Sequence, residues 1–171
     1  MSMKLNAGEV GRQDLFSILP ECIIRDDADN SRSTTHTPAE GEALARSILK
    51  HGQQTSCVVR RIELDKVQLV SGFGRNSAVA YINAHLNPKS PVKLKCMVVD
   101  CSAEEAYERS IAENLDRAET TPIDDAHAQR RLREVYGWDD ERIAALYDCS
   151  VSYLHTGRKL TRLEKPLQDA V

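Results

Sequence analysis

No window in this chain of 171 residues approaches the ~18 uninterrupted apolar residues that a membrane-crossing helix needs, which excludes a helical span. The first stretch, Met1 to Arg12, mixes Lys, Glu and Arg and lacks an apolar h-region, so it does not read as a secretory signal. Glycine and proline are scarce, 8 and 6 residues, and 41% of the chain is hydrophobic, which excludes collagen-like, low-complexity and disordered classes. Cysteine is present, but no CxxC pair is. The five residues, Cys22, Cys57, Cys96, Cys101 and Cys149, are an odd number without a histidine at ligand spacing. The five histidines show no HxH or HxxxH. Free thiols in a cytoplasmic chain are expected, with neither a disulfide nor a structural zinc site. An excess of basic residues is also missing: the net charge is −3 and the pI about 6.0, which by itself argues against nucleic-acid binding.

The length suits one ordinary domain or two small ones. Two short apolar runs, Leu15 to Leu19 and Cys22 to Arg25, flank Pro20 and read as one interrupted strand. Residues 26–38 are polar and turn-forming, a loop. Thr37, Pro38 and Glu40 have the spacing of a capping box, opening a helix that places Leu44, Ile48 and Leu49 on one face and stops at Gly52. Cys57 to Leu64 and Val67 to Val70 predict a hairpin around Asp65-Lys66, and Val92 to Val99 a further strand. From Ser102 onward every segment reads as helix. Ser102 to Glu105 is a capping box, Pro122 opens a second helix, and Asp139-Asp140-Glu141 a third. Mixed elements followed only by helices predict an α+β domain over about 12–100 and then a helical one.

Three features carry chemistry. The first is a strand, then Ser71-Gly72-Phe73-Gly74-Arg75-Asn76-Ser77, then a helix. Gly72 and Gly74 let backbone approach a ligand closely, and the free N–H groups of a helix start favour an anion. Arg75 in that first turn opposes the helix dipole unless something negative is bound. The GxxxxGK[ST] spacing is absent, so this is no Walker A loop; the plain alternative is an ordinary strand-to-helix turn. The second feature is Glu113-Asn114-Leu115-Asp116-Arg117, where Glu113 and Asn114 offer hard oxygen donors suited to Mg²⁺; the plain alternative is a solvated helix end. The third is Gly137 to Leu160. Ile143, Ala144 and Leu146 form an apolar face, Tyr147-Asp148-Cys149 a short turn, and Ser150 caps a second helix carrying Val151 and Leu154. That fits a helix-turn-helix at about 140–160, with Ser150, Ser152, Tyr153, His155, Thr156 and Arg158 towards DNA and Lys159 and Arg162 near phosphates. An ordinary helical hairpin is the alternative.

In order along the chain these segments resemble the ParB family of chromosome- and plasmid-partition proteins. His51-Gly52-Gln53-Gln54-Thr55-Ser56-Cys57-Val58-Val59-Arg60 is similar to the family's first box, a glycine, Q/T-P and a V-V-R strand. Ser71 to Ala78 is similar to its second, G-E-R-R-x-x-A. Glu113 to Arg117 through Thr121-Pro122-Ile123-Asp124-Asp125-Ala126 resembles its third, E-N-L-x-R followed by N-P-I-E-x-A. The resemblance covers about residues 15–163. It implies a ParB/sulfiredoxin-like N-terminal domain over 12–117, an all-helical DNA-binding domain over 118–165 and a CTP–Mg²⁺ site. Gly52, Thr55, Gly72, Phe73, Gly74, Arg75, Asn76, Ser77, Glu113, Asn114 and Arg117 would hold the nucleotide, and Glu113 and Asn114 the metal. Double-stranded DNA, a homodimer and a partner ATPase are the partners implied, on the nucleoid or a plasmid.

The sequence also departs from the family. Phe73 and Gly74 replace the Glu and first Arg of the second box, so nucleotide binding with weak or absent hydrolysis is expected. Gly74 stands about where a sulfiredoxin would carry its nucleophilic cysteine, so that reductase activity is not expected. The chain ends at Val171, where family members usually continue into a C-terminal dimerisation domain. Either it is part of a longer protein or it is a minimal phage or plasmid relative that dimerises through its N-terminal domain or not at all. Two other readings compete: a ParB-like metal-dependent nuclease using Glu113 and Asp116, and a protein-binding adaptor with a dead pocket. The mild acidity gathers between Glu104 and Asp125, whereas Arg158, Lys159, Arg162 and Lys165 face only Glu164, so a local basic surface is compatible with it.

Overall fold

The computed structural model describes residues 15–27, 30, 37–63, 66–116 and 120–162. Five strands and six α-helices follow in the order β1 (Leu15–Ile18), β2 (Ile23–Ile24), α1 (Pro38–His51), β3 (Cys57–Glu63), β4 (Lys66–Ser71), α2 (Phe73–Tyr81), β5 (Leu94–Val99), α3 (Ala103–Asp116), α4 (Pro122–Tyr136), α5 (Asp140–Leu146) and α6 (Val151–Gly157). This is the expected α+β class. The chain divides into two compact units, the first ending at Ala106 and the second resuming at Tyr107, within α3.

The first unit is built on a mixed sheet in the order β1-β5-β3-β4-β2. β3 and β4 form the expected antiparallel hairpin, with Val59 opposite Leu69. β5 runs parallel to β3 and pairs Cys57 with Cys96, while β2 runs parallel to β4. The interrupted strand is corrected here: β1 and β2 lie at opposite edges of the sheet. Pro20 opens a 3-10 turn over Pro20–Cys22 that breaks the ladder and carries the chain away from β1. Thr37 and Glu40 form the reciprocal capping box of α1, and Gly52 closes that helix at φ +76°. The apolar face of α1 is narrower than its leucines suggest. Ala45 and Ile48, one turn apart, are buried, whereas Leu49 is 43% exposed because it lies a further 100° round the helix. Phe73, Ala78 and Val79 of α2 join Ile48, Val59, Leu69, Leu94 and Cys96 in one apolar core.

Among its described residues the second unit carries helices and no strand. Ser102 and Glu105 cap α3 reciprocally, as Thr121 and Asp124 cap α4. Tyr107 and Ile111 of α3, Leu132 of α4, Trp138, Ile143 and Leu154 form its core. Arg142 stacks on the Trp138 ring at 3.5 Å and reaches Glu108, tying α5 to α3. No helix among the described residues is long and apolar enough to cross a membrane.

Candidate functional site

In the first unit the first and second boxes meet. β3 begins just after the loop 52–56, and β4 beside it runs into Gly72, so both loops lie at the start of α2. Gly72 is the N-cap of α2 at φ +96°, with no side-chain cap and no acidic residue in the first turn. A Cβ at this position would stand 2.6 Å from Cys57 Sγ and 3.0 Å from Arg75 Nη2, so glycine is required by both conformation and space. Arg75 folds back over Gly72 and donates from Nη1 to the Thr55 carbonyl at 3.3 Å.

The loop carrying Thr55 is held by a residue that motif reasoning passed over. Gln53, buried, donates from Nε2 to the carbonyls of Thr55 (2.8 Å) and Lys95 (2.9 Å) and accepts from the Lys95 N–H. Arg60, the last residue of the first box and in the middle of β3, donates to Gln68 Oε1. Beneath the loop, the Cys96 thiol donates to Cys57 and holds its sulfur below the usual thiol range; burial opposes this, and the nearby Arg75 charge adds to it. Cys96 is pushed up in turn, because its proton is held by Cys57.

Two buried polar atoms at this turn have no partner: Asn76 Nδ2 and Ser71 Oγ, in residues 6% and 8% exposed. Unsatisfied buried polar groups are rare and costly, and a polar ligand at the start of α2 is one way to satisfy them. Phe73 does not offer its side chain to such a ligand. It enters the core, and Arg25, on the segment after β2, lies over its ring at 5.6 Å. Arg25 also donates to the Ser77 hydroxyl at 2.5 Å. Motif reasoning missed Arg25 because it sits some fifty positions before α2, at the end of a short apolar run and outside all three boxes.

Glu113 and Asn114 occupy the last turn of α3, both half-buried. They are adjacent oxygen donors in a helical unit, a set that suits Mg²⁺ when phosphates complete the coordination. Arg117, Glu164 and Lys165 lie outside the described residues.

In the second unit α5 and α6 flank a tight turn. Asp148 takes the left-handed conformation at φ +48°, and the Ser150 hydroxyl accepts from Tyr153 N at 3.2 Å, capping α6. Leu154 is fully buried, while Ser152, Tyr153, His155, Thr156, Lys159 and Arg162 are exposed; Tyr153 is 64% exposed despite its size. Arg158 is turned back. It binds Asp140 of α5, which also accepts from Arg133 of α4 (3.3 Å) and lies 3.2 Å from His155 Nε2. The Arg158 contact, with His155 and the Arg133 charge, holds the Asp140 carboxyl below the usual carboxylate range.

No protein-family model matches the chain. Among curated proteins it is similar to the nucleoid occlusion protein of Listeria monocytogenes, 30% identical over 130 residues, 76% of this chain and 43% of that protein. The nucleoid occlusion protein of Bacillus subtilis is 30% identical over 129 residues, again with 43% of its length covered. The chain thus spans less than half the length of these relatives. Among solved structures, the C-terminally truncated chromosome-partitioning protein ParB of Caulobacter crescentus bound to its centromeric parS site aligns with a TM-score of 0.54 and 20% identity, over 91% of this chain and 76% of that one. The same truncated protein complexed with CTP-gamma-S aligns with a TM-score of 0.50 and 22% identity, over 91% and 83%. These two likenesses speak for the fold, and the sequence relatives are themselves of the ParB kind. The order of boxes, the fold and the relatives agree: this chain belongs to the ParB family.

Proposed function

We propose that this chain is a sequence-specific DNA-binding protein of DNA partition, nucleoid occlusion or regulation whose first unit binds CTP–Mg²⁺. The observation that carries the nucleotide half is the start of α2. Its backbone N–H groups have no side-chain cap, Arg75 folds over Gly72 onto the Thr55 carbonyl, and Asn76 and Ser71 leave buried polar atoms unpaired. A phosphate there accepts from the N–H groups and offsets Arg75, the one arrangement in which a cation at that helix end is favourable. The family resemblance assigns the metal to Glu113 and Asn114 of α3, which lie in the second unit. The CTP-gamma-S complex of the Caulobacter protein supports the choice of nucleotide.

Hydrolysis is weak or absent in this reading. Phe73 is committed to the core, and Gly74 has no side chain to place on a developing charge. Removing a polar group at such a position costs orders of magnitude in rate while backbone N–H groups still bind. The DNA half rests on α6, whose exposed Ser152, Tyr153, Thr156 and Lys159 form the face a recognition helix offers, with Arg162 near the backbone. DNA and nucleotide act as linked ligands, each favouring the conformation that the other binds better. The chain works as a homodimer on the nucleoid or a plasmid, with a partner ATPase. The nuclease reading gains no support from the relatives, which are nucleoid occlusion and chromosome-partitioning proteins.

Calorimetry of the purified protein with CTP–Mg²⁺ tests the nucleotide half, and saturable binding is expected. Gel shifts test the DNA half, with a sequence-selective, salt-dependent complex expected. No heat at saturating nucleotide removes the first; shifts equal for all sequences remove the second.

A further inference from the structure

We infer that Arg25 is a second phosphate-binding cation of the site at the start of α2, delivered by a different strand from the one that carries the loop. The inference rests on the nucleotide reading above and extends it to a residue outside all three boxes.

The argument begins with topology. β2 runs parallel to β4, with Ile24 beside Gln68, so Arg25 leaves the sheet at the same end where β4 runs into Gly72. Its guanidinium lies over the Phe73 ring at 5.6 Å and donates from Nη1 to Ser77 Oγ at 2.5 Å. Phe73 and Ser77 are one turn apart on α2, so Arg25 lies along the first turn of that helix. Arg75 approaches the same turn over Gly72. Two guanidinium groups therefore gather at the positive end of a helix whose first turn carries no acid. Helix dipole and mutual repulsion both disfavour that arrangement, and a bound polyanion reverses both terms.

One carboxylate competes. Asp27 Oδ1 lies 2.5 Å from Arg25 Nε, with its side chain 75% exposed. An ion pair that open to water is weak. It uses the Nε edge, as Ser77 uses one Nη1 proton, and a guanidinium has five donors. The remaining donors are available to phosphate oxygens in the planar geometry that suits them. Phe73 then has a role that its place in a phosphate loop leaves unexplained: it is the platform that seats Arg25. The aromatic ring in the loop and the cation on the neighbouring strand act as one unit, replacing a charge that Gly74 cannot carry.

The test measures two probes, CTP–Mg²⁺ and inorganic tripolyphosphate, on the wild-type chain and on Arg25→Ala and Arg25→Lys, by calorimetry. Arg25→Ala should weaken both probes by about tenfold or more, the worth of a charge-assisted hydrogen bond, and the salt dependence of binding should become shallower. Arg25→Lys should recover part of the loss, since the charge returns without the planar fork. Thermal unfolding of the unliganded variants should change little; if Arg25→Ala does not fold, Arg25→Lys and Arg25→Gln carry the comparison. Unchanged affinity for both probes in the variants overturns the assignment of Arg25 and leaves the nucleotide reading standing. Wild-type binding of tripolyphosphate without CTP overturns the nucleotide reading, and Arg25 is then judged on tripolyphosphate. Binding of neither probe by the wild-type chain overturns both.

Discussion

Arg75, in the first turn of α2, donates to the main-chain carbonyl of Thr55 at 3.3 Å, and that contact joins two loops twenty residues apart. The side chain is half-buried and lies over Gly72, so it is placed to act on a ligand more than to hold the fold. Arg75→Ala should abolish CTP–Mg²⁺ binding in calorimetry while the unfolding midpoint moves little. Retained affinity would remove Arg75 from the site.

Gly72 is fixed by space as well as by backbone. A methyl group there meets Cys57 Sγ at 2.6 Å on a backbone at φ +96°. Gly72→Ala should cost about 1–3 kcal/mol from the conformation alone, and more from the collision. The double variant Gly72→Ala/Cys57→Ala should recover the steric part only. Denaturant midpoints of the two variants separate the terms, and equal midpoints would mean that the loop yields freely.

Asp140 gathers Arg133 of α4, His155 of α6 and Arg158, the residue that follows α6. Its carboxyl is held low in the folded state, chiefly by Arg158. A depressed folded value contributes stability that is present above the unfolded value, about 3.9, and is lost as pH falls through the folded one. Asp140→Asn should therefore lower stability at neutral pH and flatten the acid limb of the stability curve below about pH 4. Urea midpoints from pH 2.5 to 7 read both effects, and parallel curves for the two proteins would contradict the account.

Leu154 and Tyr153 are neighbours with opposite duties. Leu154 is fully buried in the helical core, and Tyr153 faces water. Leu154→Ala should cost about 2–5 kcal/mol and take DNA binding with it. Tyr153→Ala should leave the unfolding midpoint within the range of surface changes and still weaken the DNA complex in gel shifts. A Tyr153→Ala variant that binds as the wild type does would move the DNA face elsewhere.

Local signals were the legible ones. Thr37 with Glu40, Ser102 with Glu105 and Thr121 with Pro122 announced their helices, because caps are satisfied within one turn of chain. The boxes single out Gly72, Arg75 and Thr55, and the structure brings these three together. What stayed hidden depends on contacts between distant segments. Arg25 meets α2 across 52 positions, and nothing in its neighbourhood marks it. Gln53 reads as one more polar loop residue until β5 arrives beside it. The edge positions of β1 and β2 follow from sheet order, which no run of apolar residues encodes. Asp140 is legible as a helix start, and its role as partner of two guanidinium groups and the His155 ring is not, since Arg158 returns to it only through the turn at Asp148.

The most direct measurement is selection of fragmented bacterial DNA by the purified chain, with and without CTP–Mg²⁺, followed by sequencing of what is retained. The account predicts one recurrent sequence among the retained fragments, lost with Tyr153→Ala, and a degree of retention that changes with nucleotide. Retention with no sequence in common, unaltered by nucleotide or by Tyr153→Ala, would contradict it.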